Sequence, residues 1–336
     1  MAITLADAKQ NTQDALDLAV IDEFQKSSWL LQNMVFEPAV NPSGGGATLT
    51  YGYTRLVQER SASFRVLNTE YPKAQAKRQH YTVELSPLGG AFEIDRVLAE
   101  LGPAATNEIT LQMQQTIKSA NAFFCDQVIN GKRITTPGAE QGFDGLDKAL
   151  AGSATEMGAG TSLDWTGATL GADQGKANDA LDVLDEFLDQ LDDTPTALFG
   201  NKKMIARVRS LARRAGYYEK TLDGFGKKVE RYNGIPFVDL GNKAGSTSPV
   251  IPVEARDVDG AGPGGSISGL SDLYAVRLGI DGFHAVSTTS GRLVRQWLPD
   301  FTTAGAVKVG ECELGPVAVA LKATKAAAVL RNVKVQ

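Results

Sequence analysis

Two short stretches with strict period-two alternation frame a 25-residue segment that cannot bury itself. Leu49, Tyr51 and Tyr53 alternate with Thr50, Gly52 and Thr54, and the pattern returns at Tyr81, Val83 and Leu85. Each stretch therefore reads as a strand with one buried face. Between them, RLVQERSASFRVLNTEYPKAQAKRQ carries few large apolar residues. Burial of so little apolar surface cannot offset the entropy of ordering the segment inside a compact domain, so it should project as a long hairpin or loop. A projection of that length implies that its contacts lie on a neighbouring molecule.

The rest of the chain supplies a body to project from. Pro103 near a first turn and Gly131 just past the end bracket the strongest helix signal, a helix about 40 Å long at 1.5 Å per residue. Ile109, Met113, Ile117, Phe124 and Val128 lie on one stripe of it, with Ala120 where close approach is needed. After the glycine-rich link GFDGLDKALAG, a second helix turns Leu181, Leu184, Phe187, Leu188 and Leu191 inward and Asp182, Asp185, Glu186 and Asp189 outward. TALFGN reads as a short buried strand. Asn201 then caps a helix with Met204, Ile205, Val208 and Leu211 on its apolar face and Gly216 as its stop. Asn233-Gly234 joins VERY to IPFVDL in a hairpin, because that turn type needs positive φ at both central positions.

Residues 241–269 are rich in Gly, Ser and Pro and read as a surface loop. DLYAVRLG, FHAVS and RLVRQW resume the strands, and AVKVGECELG, PVAVALKAT and AAAVLRNVKV form a final antiparallel set. Ahead of the alternating strands, Thr4 and Asp7 open a broken helix through Leu16, Val20 and Phe24. Ser27 and Ser28 offer a second start before Trp29, and Pro38, Pro42 and Gly44 to Gly46 end this arm.

Composition narrows the function classes. The 336 residues suit one or two globular units with extended appendages, and 43% hydrophobic against 22% charged residues is enough for a core. A net charge of -5 disfavours a dedicated nucleic-acid binder. No leader or apolar run of roughly 18 residues appears, so a cytosolic product without membrane contact is expected. With two histidines and two cysteines, sites built mainly from those residues cannot be assembled, and no cofactor is implied. Cys125, in the helical run FFCDQV, reads as a small buried hydrophobe.

The apparent catalytic motifs do not hold up. GADQGKA has three residues between its glycines and no Ser or Thr after Lys176, and GPGGSISG lacks a strand-to-helix setting. Asp281, His284 and Ser287 cannot converge from one strand. The acids at 182–193 alternate with an apolar stripe as a solvated helix face does, although an α/β enzyme using them is the alternative from another class.

The positive signal is charge segregation. Residues 1–50 carry two bases and six acids, and residues 51–80 carry six bases and two acids. Residues 181–193 hold six acids and no base, whereas 200–231 hold ten bases and three acids. Separated patches of this kind choose partner and register, although charge runs are also ordinary solvated faces. On this reading Arg55, Arg60, Arg65, Lys73, Lys77 and Arg78 in the loop and Asp14, Asp17, Asp22 and Glu23 in the arm are the candidate intersubunit contacts.

The order of acidic arm, extended loop, long helix, mixed α/β unit and terminal β segment resembles the major capsid proteins of tailed bacteriophages. Their shell fold is shared with encapsulins and the herpesvirus capsid floor. The residues carrying the likeness are FFCDQVINGK, GFDGLDKAL, TALFGNKKMIARVRSLARRAGYY, VERYNGIPFVDLG, LYAVRLGIDGFHAV and LPDF. The resemblance implies an α+β capsid fold with an N-terminal arm over 1–46 and an extended β-hairpin loop over 47–86. It further implies a peripheral domain over 87–163 with spine helix 103–131, an axial domain over 164–297 with its loop at 241–269, and C-terminal strands over 298–336 returning to the peripheral domain. The implied function is self-assembly into pentamers and hexamers of an icosahedral head enclosing double-stranded DNA, with the protein in the virion capsid after assembly in the host cytoplasm. Implied partners are other copies, a portal protein, a separate scaffolding or decoration protein, and packaged DNA on the inner face. An encapsulin-type nanocompartment is the runner-up.

Overall fold

The computed structural model describes residues 28–40, 46–58, 60–97, 103–136, 142–172, 174–216, 218–222, 228–258, 265–288 and 293–336. The arm expectations through Phe24, including Asp14, Asp17, Asp22 and Glu23, lie outside these residues, as does part of the glycine-rich tip around Gly262.

The described chain opens with a short helix, α1 (Trp29–Asn33), whose N-terminus is capped by the Ser28 hydroxyl accepting from the Leu31 amide. Strands β1 (Phe36–Ala39), β2 (Thr50–Gln58), β3 (Lys77–Glu84) and β4 (Ser86–Asp95) follow, and then α2 (Pro103–Asn130). Next come α3 (Leu146–Leu150), β5 (Glu156–Met157), β6 (Leu163–Asp164), α4 (Gly167–Ala172), α5 (Gln174–Leu188), β7 (Ala197–Phe199) and α6 (Lys202–Ala215). The chain continues through β8 (Tyr218–Leu222), β9 (Lys228–Tyr232), β10 (Ile235–Val238), β11 (Glu254–Arg256), β12 (Ile267–Val276), β13 (Phe283–Thr288) and β14 (Arg295–Trp297). It closes with β15 (Val307–Leu321) and β16 (Ala327–Lys334).

The strands form two sheets and a free ribbon. The smaller sheet runs β1-β13-β15-β14, with β4 also on β15, and the larger runs β5-β16-β12-β7-β10-β9-β8, with β11 on β12 and β6 on β16. Among the described residues, strands β2 and β3 pair only with each other.

Helix α2 spans the smaller sheet. Met113, Ile117, Ala120, Phe124 and Val128 are buried, and they meet Leu88, Phe92, Val317 and Val319 in one apolar core. Phe124 stacks on Phe36 at 6.4 Å between centroids. Each large side chain buried along this stripe contributes roughly 1.5–3 kcal/mol. At its C-terminus, Gly131 and Gly145 let the next segment lie against the last turn. A Cβ on Gly131 would sit 2.3 Å from the Gln127 carbonyl oxygen and 2.5 Å from that of Phe143. That proximity lets Phe143, Leu146 and Leu150 pack into the same core.

The larger sheet has apolar side chains on both faces. Leu198, Leu273, Ala275, Ala328 and Leu330 face α5 and α6, which contribute Leu184, Phe187, Met204, Val208 and Leu211. Phe199, Tyr274, Val276 and Val329, from the opposite pleat, join the core under α2. Local chemistry explains the boundaries of α6: Asn201 Oδ1 accepts from the amides of Lys203 and Met204, and Gly216 ends the helix at φ 77°. The β9–β10 turn has Asn233 at φ 47° and Gly234 at φ 79°, as a two-residue turn of that hand requires. Arg331 on β16 holds α3 to the sheet through Asp147 at 2.6 Å, and it also pairs with Glu156 on β5.

Two regions differ from the expectations. Strand β2 runs on to Gln58 and β3 begins at Lys77, so Arg55 and His80 are paired ribbon residues and the non-strand tip is shorter than 55–80. The C-terminal segment does not return to one place. Strand β15 pairs with β4 and β13 in the smaller sheet, whereas β16 lies inside the larger one between β12 and the short strands β5 and β6. The chain changes sheet over residues 322–326, where Ala326 is buried between them.

Candidate assembly interface

The ribbon of β2 and β3 is in register, with Tyr51 opposite Val83, Tyr53 opposite Tyr81 and Arg55 opposite Gln79. Alternation puts these six on one face, turned toward the body, and leaves Thr54, Leu56, Arg78, His80 and Thr82 exposed on the other. On the inner face Tyr53 and Tyr81 stack at 5.7 Å, and the Arg55 guanidinium lies 4.4 Å from the Tyr81 centroid. Arg55 Nε also donates to the Leu321 carbonyl at 2.7 Å.

A compact polar cluster fixes the root of the ribbon. Glu37 Oε2 on β1 accepts from the Tyr51 hydroxyl at 2.6 Å and from Lys322 Nζ at 2.6 Å. His284 Nε2, fully buried on β13, lies 2.9 Å from the same oxygen. Burial works to raise the Glu37 acid, but the hydrogen bonds from Lys322 and Tyr51 hold it below the usual carboxylate range. Burial, then the charge on Lys322, push His284 down to about 4, so the imidazole is neutral at pH 7. Burial and the Glu37 carboxylate raise the Tyr51 hydroxyl. The ribbon is thus anchored to strands far from it in sequence.

Among the described residues the far end has no such partner. A tight turn forms where the Thr69 hydroxyl donates to the Val66 carbonyl at 2.8 Å, with Asn68 at φ 66°. The Arg65 guanidinium lies over Tyr71 at 5.4 Å and donates to the Thr69 carbonyl. Phe64 stands wholly in solvent, and Val66 and Leu67 are 74% and 83% exposed. Arg60, Lys73, Lys77 and Arg78 are exposed along the same projection. Of the six loop cations singled out from sequence, Arg55 is turned onto its own chain and the other five are exposed along the projection that carries the apolar tip. Those apolar residues were too few to nucleate a core, and that is the signal by which they could have been found.

A second exposed surface lies on the smaller sheet, on the face opposite α2. The pairing places Val307 beside Asp95, Val309 beside Glu93, Glu311 beside Ala91 and Trp297, and Glu313 beside Gly89 and Arg295. Val307, Val309 and Trp297 are about half exposed, at 52%, 47% and 45%. This face has Val307 and Val309 at the start of β15, with Trp297 beside Glu311, and carries Glu93, Asp95, Glu311 and Glu313 against Arg295.

The residues weighed for chemistry disperse. Asp281 pairs with Arg277 at 2.8 Å, Ser287 donates to the Pro316 carbonyl, and His284 faces Glu37. Among the acids at 182–193, Asp185 accepts from the Tyr232 hydroxyl and Asp192 pairs with Arg277, while Asp182, Glu186 and Asp189 are exposed on α5. Among the described residues no group of three His, Cys, Asp or Glu side chains is placed to hold a metal ion. No described helix is long and apolar enough to cross a membrane.

Comparison with known proteins identifies the architecture. No protein-family model matches the sequence, and no curated sequence is significantly similar. Solved structures match over nearly the whole chain. The holo-SrpI encapsulin complex from Synechococcus elongatus PCC 7942 superposes with a TM-score of 0.56 and 17% identity over 92% of this chain and 88% of that one. A structure of Mycobacterium phage Bobi gives 0.53 and 14% over 91% and 90%. The capsid of a native GTA particle gives 0.52 and 15% over the same shares. The chain has the shell fold of encapsulins and phage capsids, α+β with a projecting ribbon and a long spine helix.

Proposed function

We propose that this chain is a major capsid protein that assembles into pentamers and hexamers of an icosahedral phage head enclosing double-stranded DNA. The observation that carries the reading is the ribbon tip: Phe64, Val66 and Leu67 are held in solvent on an anchored projection that the chain's own body does not cover. Exposed apolar clusters of this kind mark partner surfaces. A chain that grips one neighbour and is gripped by another makes a heterologous contact, which closes into rings and shells when the rotation permits. Each contact need only be modest, because closure requires all of them to break together.

On this reading the arm over 1–46, the loop over 47–86, the peripheral unit over 87–163, the axial unit over 164–297 and the C-terminal strands are the working divisions. The chain is structural and catalyses no reaction. Its partners are copies of itself, with a portal protein, a scaffolding or decoration protein and packaged DNA in the virion, assembled in the host cytoplasm. Electron microscopy of the expressed protein tests the proposal, and closed shells are the expected result. The double variant Arg60→Glu with Arg65→Glu should remain folded and fail to form shells; normal shells from it would refute a role for the basic loop.

A second reading, an encapsulin-type nanocompartment, is supported by the superposition on the SrpI encapsulin. Particles that enclose nuclease-protected DNA favour the phage head, and particles that enclose a protein cargo favour the nanocompartment. Turnover by purified monomer would favour the enzyme alternative at 182–193.

A further inference from the structure

His284 sits where an imidazole is poorly served. Its side chain is fully covered, and its contacts to Glu37 and to the Gly282 backbone are not well-aligned hydrogen bonds. Buried polar groups left in that condition are rare and call for a reason. Ala320, opposite it on β15, brings no titratable group. The charged groups that act on it are Glu37 from β1, which favours a proton on the ring, and Lys322, just past β15, which opposes one. From β2 the Tyr51 ring stands against the imidazole at 6.0 Å and 83°.

The cover over this imidazole is detachable. Among the described residues β2 and β3 share no ladder with the sheet beneath them. Their inner face is fastened by the Tyr51 hydroxyl on Glu37, by Arg55 on the Leu321 carbonyl, and by the packing of Tyr51, Tyr53 and Val83 against the core. That face can part from the body without breaking a strand pairing, and parting takes the Tyr51 ring away from His284. While covered, the imidazole takes a proton poorly, because burial and then the Lys322 charge hold it to about 4 against an ordinary 6.5. Once uncovered it binds the proton first, so the covered and parted states are linked through one titration. The advantage of the covered state is complete above the ordinary value and shrinks as pH falls from there toward about 4.

We infer that the ribbon root is a proton-operated latch, in which a proton on His284 favours a state with the inner face of the ribbon parted from Glu37 and the body still folded. Tyr51 and Glu37 are the catch, and His284 is the sensor beneath it. The latch belongs to a single chain, whatever that chain assembles into.

Pulsed electron spin resonance on the full-length chain tests it. Nitroxides are placed at Leu67→Cys on the tip and Lys325→Cys on the body, both exposed positions, and the labelled chain is diluted with unlabelled chain so that only distances within one copy are read. Both native thiols are buried, Cys125 at 3% and Cys312 at 1% exposure, so they stay unlabelled. The expected result is one distance at about pH 7.5 and a second that gains on it by up to about tenfold per pH unit between about pH 6.5 and about pH 5, with the far-UV circular dichroism unchanged. In His284→Leu the ratio of the two should not vary over that range. Tyr51→Phe, which removes the bond to Glu37 and leaves the histidine, should raise the second distance by the same factor at every pH and keep the slope. A single distance throughout in the otherwise native chain, a second distance that grows as steeply in His284→Leu, or a change of distance that comes only with loss of the dichroism would overturn the latch.

Discussion

At the scale of single residues the ribbon depends on Glu37, which gathers Tyr51 of β2, His284 of β13 and Lys322, just past β15, onto one carboxylate. The proton balance follows from the shifts. The depressed Glu37 contributes stability that is present above its unfolded value and lost as pH falls through its folded one. His284 is held to about 4 against an ordinary 6.5, so the unfolded chain binds its proton first. Stability therefore falls as pH drops from about 6.5 to about 4, by about 3 kcal/mol from this residue before solvent screening reduces it. Urea unfolding at a series of pH values should show that decline, and in His284→Leu the slope between those limits should flatten. None of this was legible in the sequence. Glu37 and Lys322 are 285 residues apart, and no local pattern marks either as a partner of a ribbon tyrosine; His284 drew notice only in DGFHAVS, as one of three residues that go to different partners.

Among the elements, legibility followed locality. Asn201 and Gly216 bracket α6 by chemistry confined to one helical turn at each end, and Asn233-Gly234 specifies its hairpin through backbone conformation alone. Asn201 does more than cap, since its amide donates to Ser271 Oγ at 2.5 Å and to the Ile251 carbonyl at 3.3 Å. Asn201→Ala should cost roughly 1–3 kcal/mol, more than a solvent-exposed cap, because buried acceptors are left unmatched. Thermal unfolding would measure it. In α2 the stripe was readable because 3.6-residue spacing survives any tertiary context, and Phe124→Ala at its centre should cost about 3–5 kcal/mol. The period-two strands were less transparent. Alternation separates two faces but does not say which one a helix will cover, so nothing in AVKVGECELG marks Val307 and Val309 as the exposed side. Sheet membership was equally hidden, since β15 and β16 carry the same β-branched pattern and belong to different sheets.

For the whole molecule, the sequence revealed the fold through the order of its parts, and the segment that cannot bury itself pointed to assembly before any contact was visible. On the proposed shell reading, charge and apolar surface divide the work of assembly. The cations along the ribbon would steer the encounter over a screening length of about 10 Å at 0.1 M salt and about 3 Å at 1 M, while Phe64, Val66 and Leu67 would hold the docked state. Raising salt should therefore slow the approach to assembled particles, followed by light scattering, more than it loosens particles already formed. Phe64→Ala should do the reverse, leaving the salt dependence of the rate unchanged and increasing subunit loss on dilution. If salt and the apolar truncation act identically on both stages, that division is wrong.

The position of β16 bears on when the molecule becomes complete. Strand β12 cannot acquire its neighbour on that side until residues 327–334 have left the ribosome, although the spine helix and the ribbon are available much earlier. A nascent chain thus shows its projecting tip while β5, β6 and one edge of β12 still lack their partner. Copies that met before β16 had emerged would engage with an unfinished body, so synthesis of residues 327–334 sets the earliest moment for productive association.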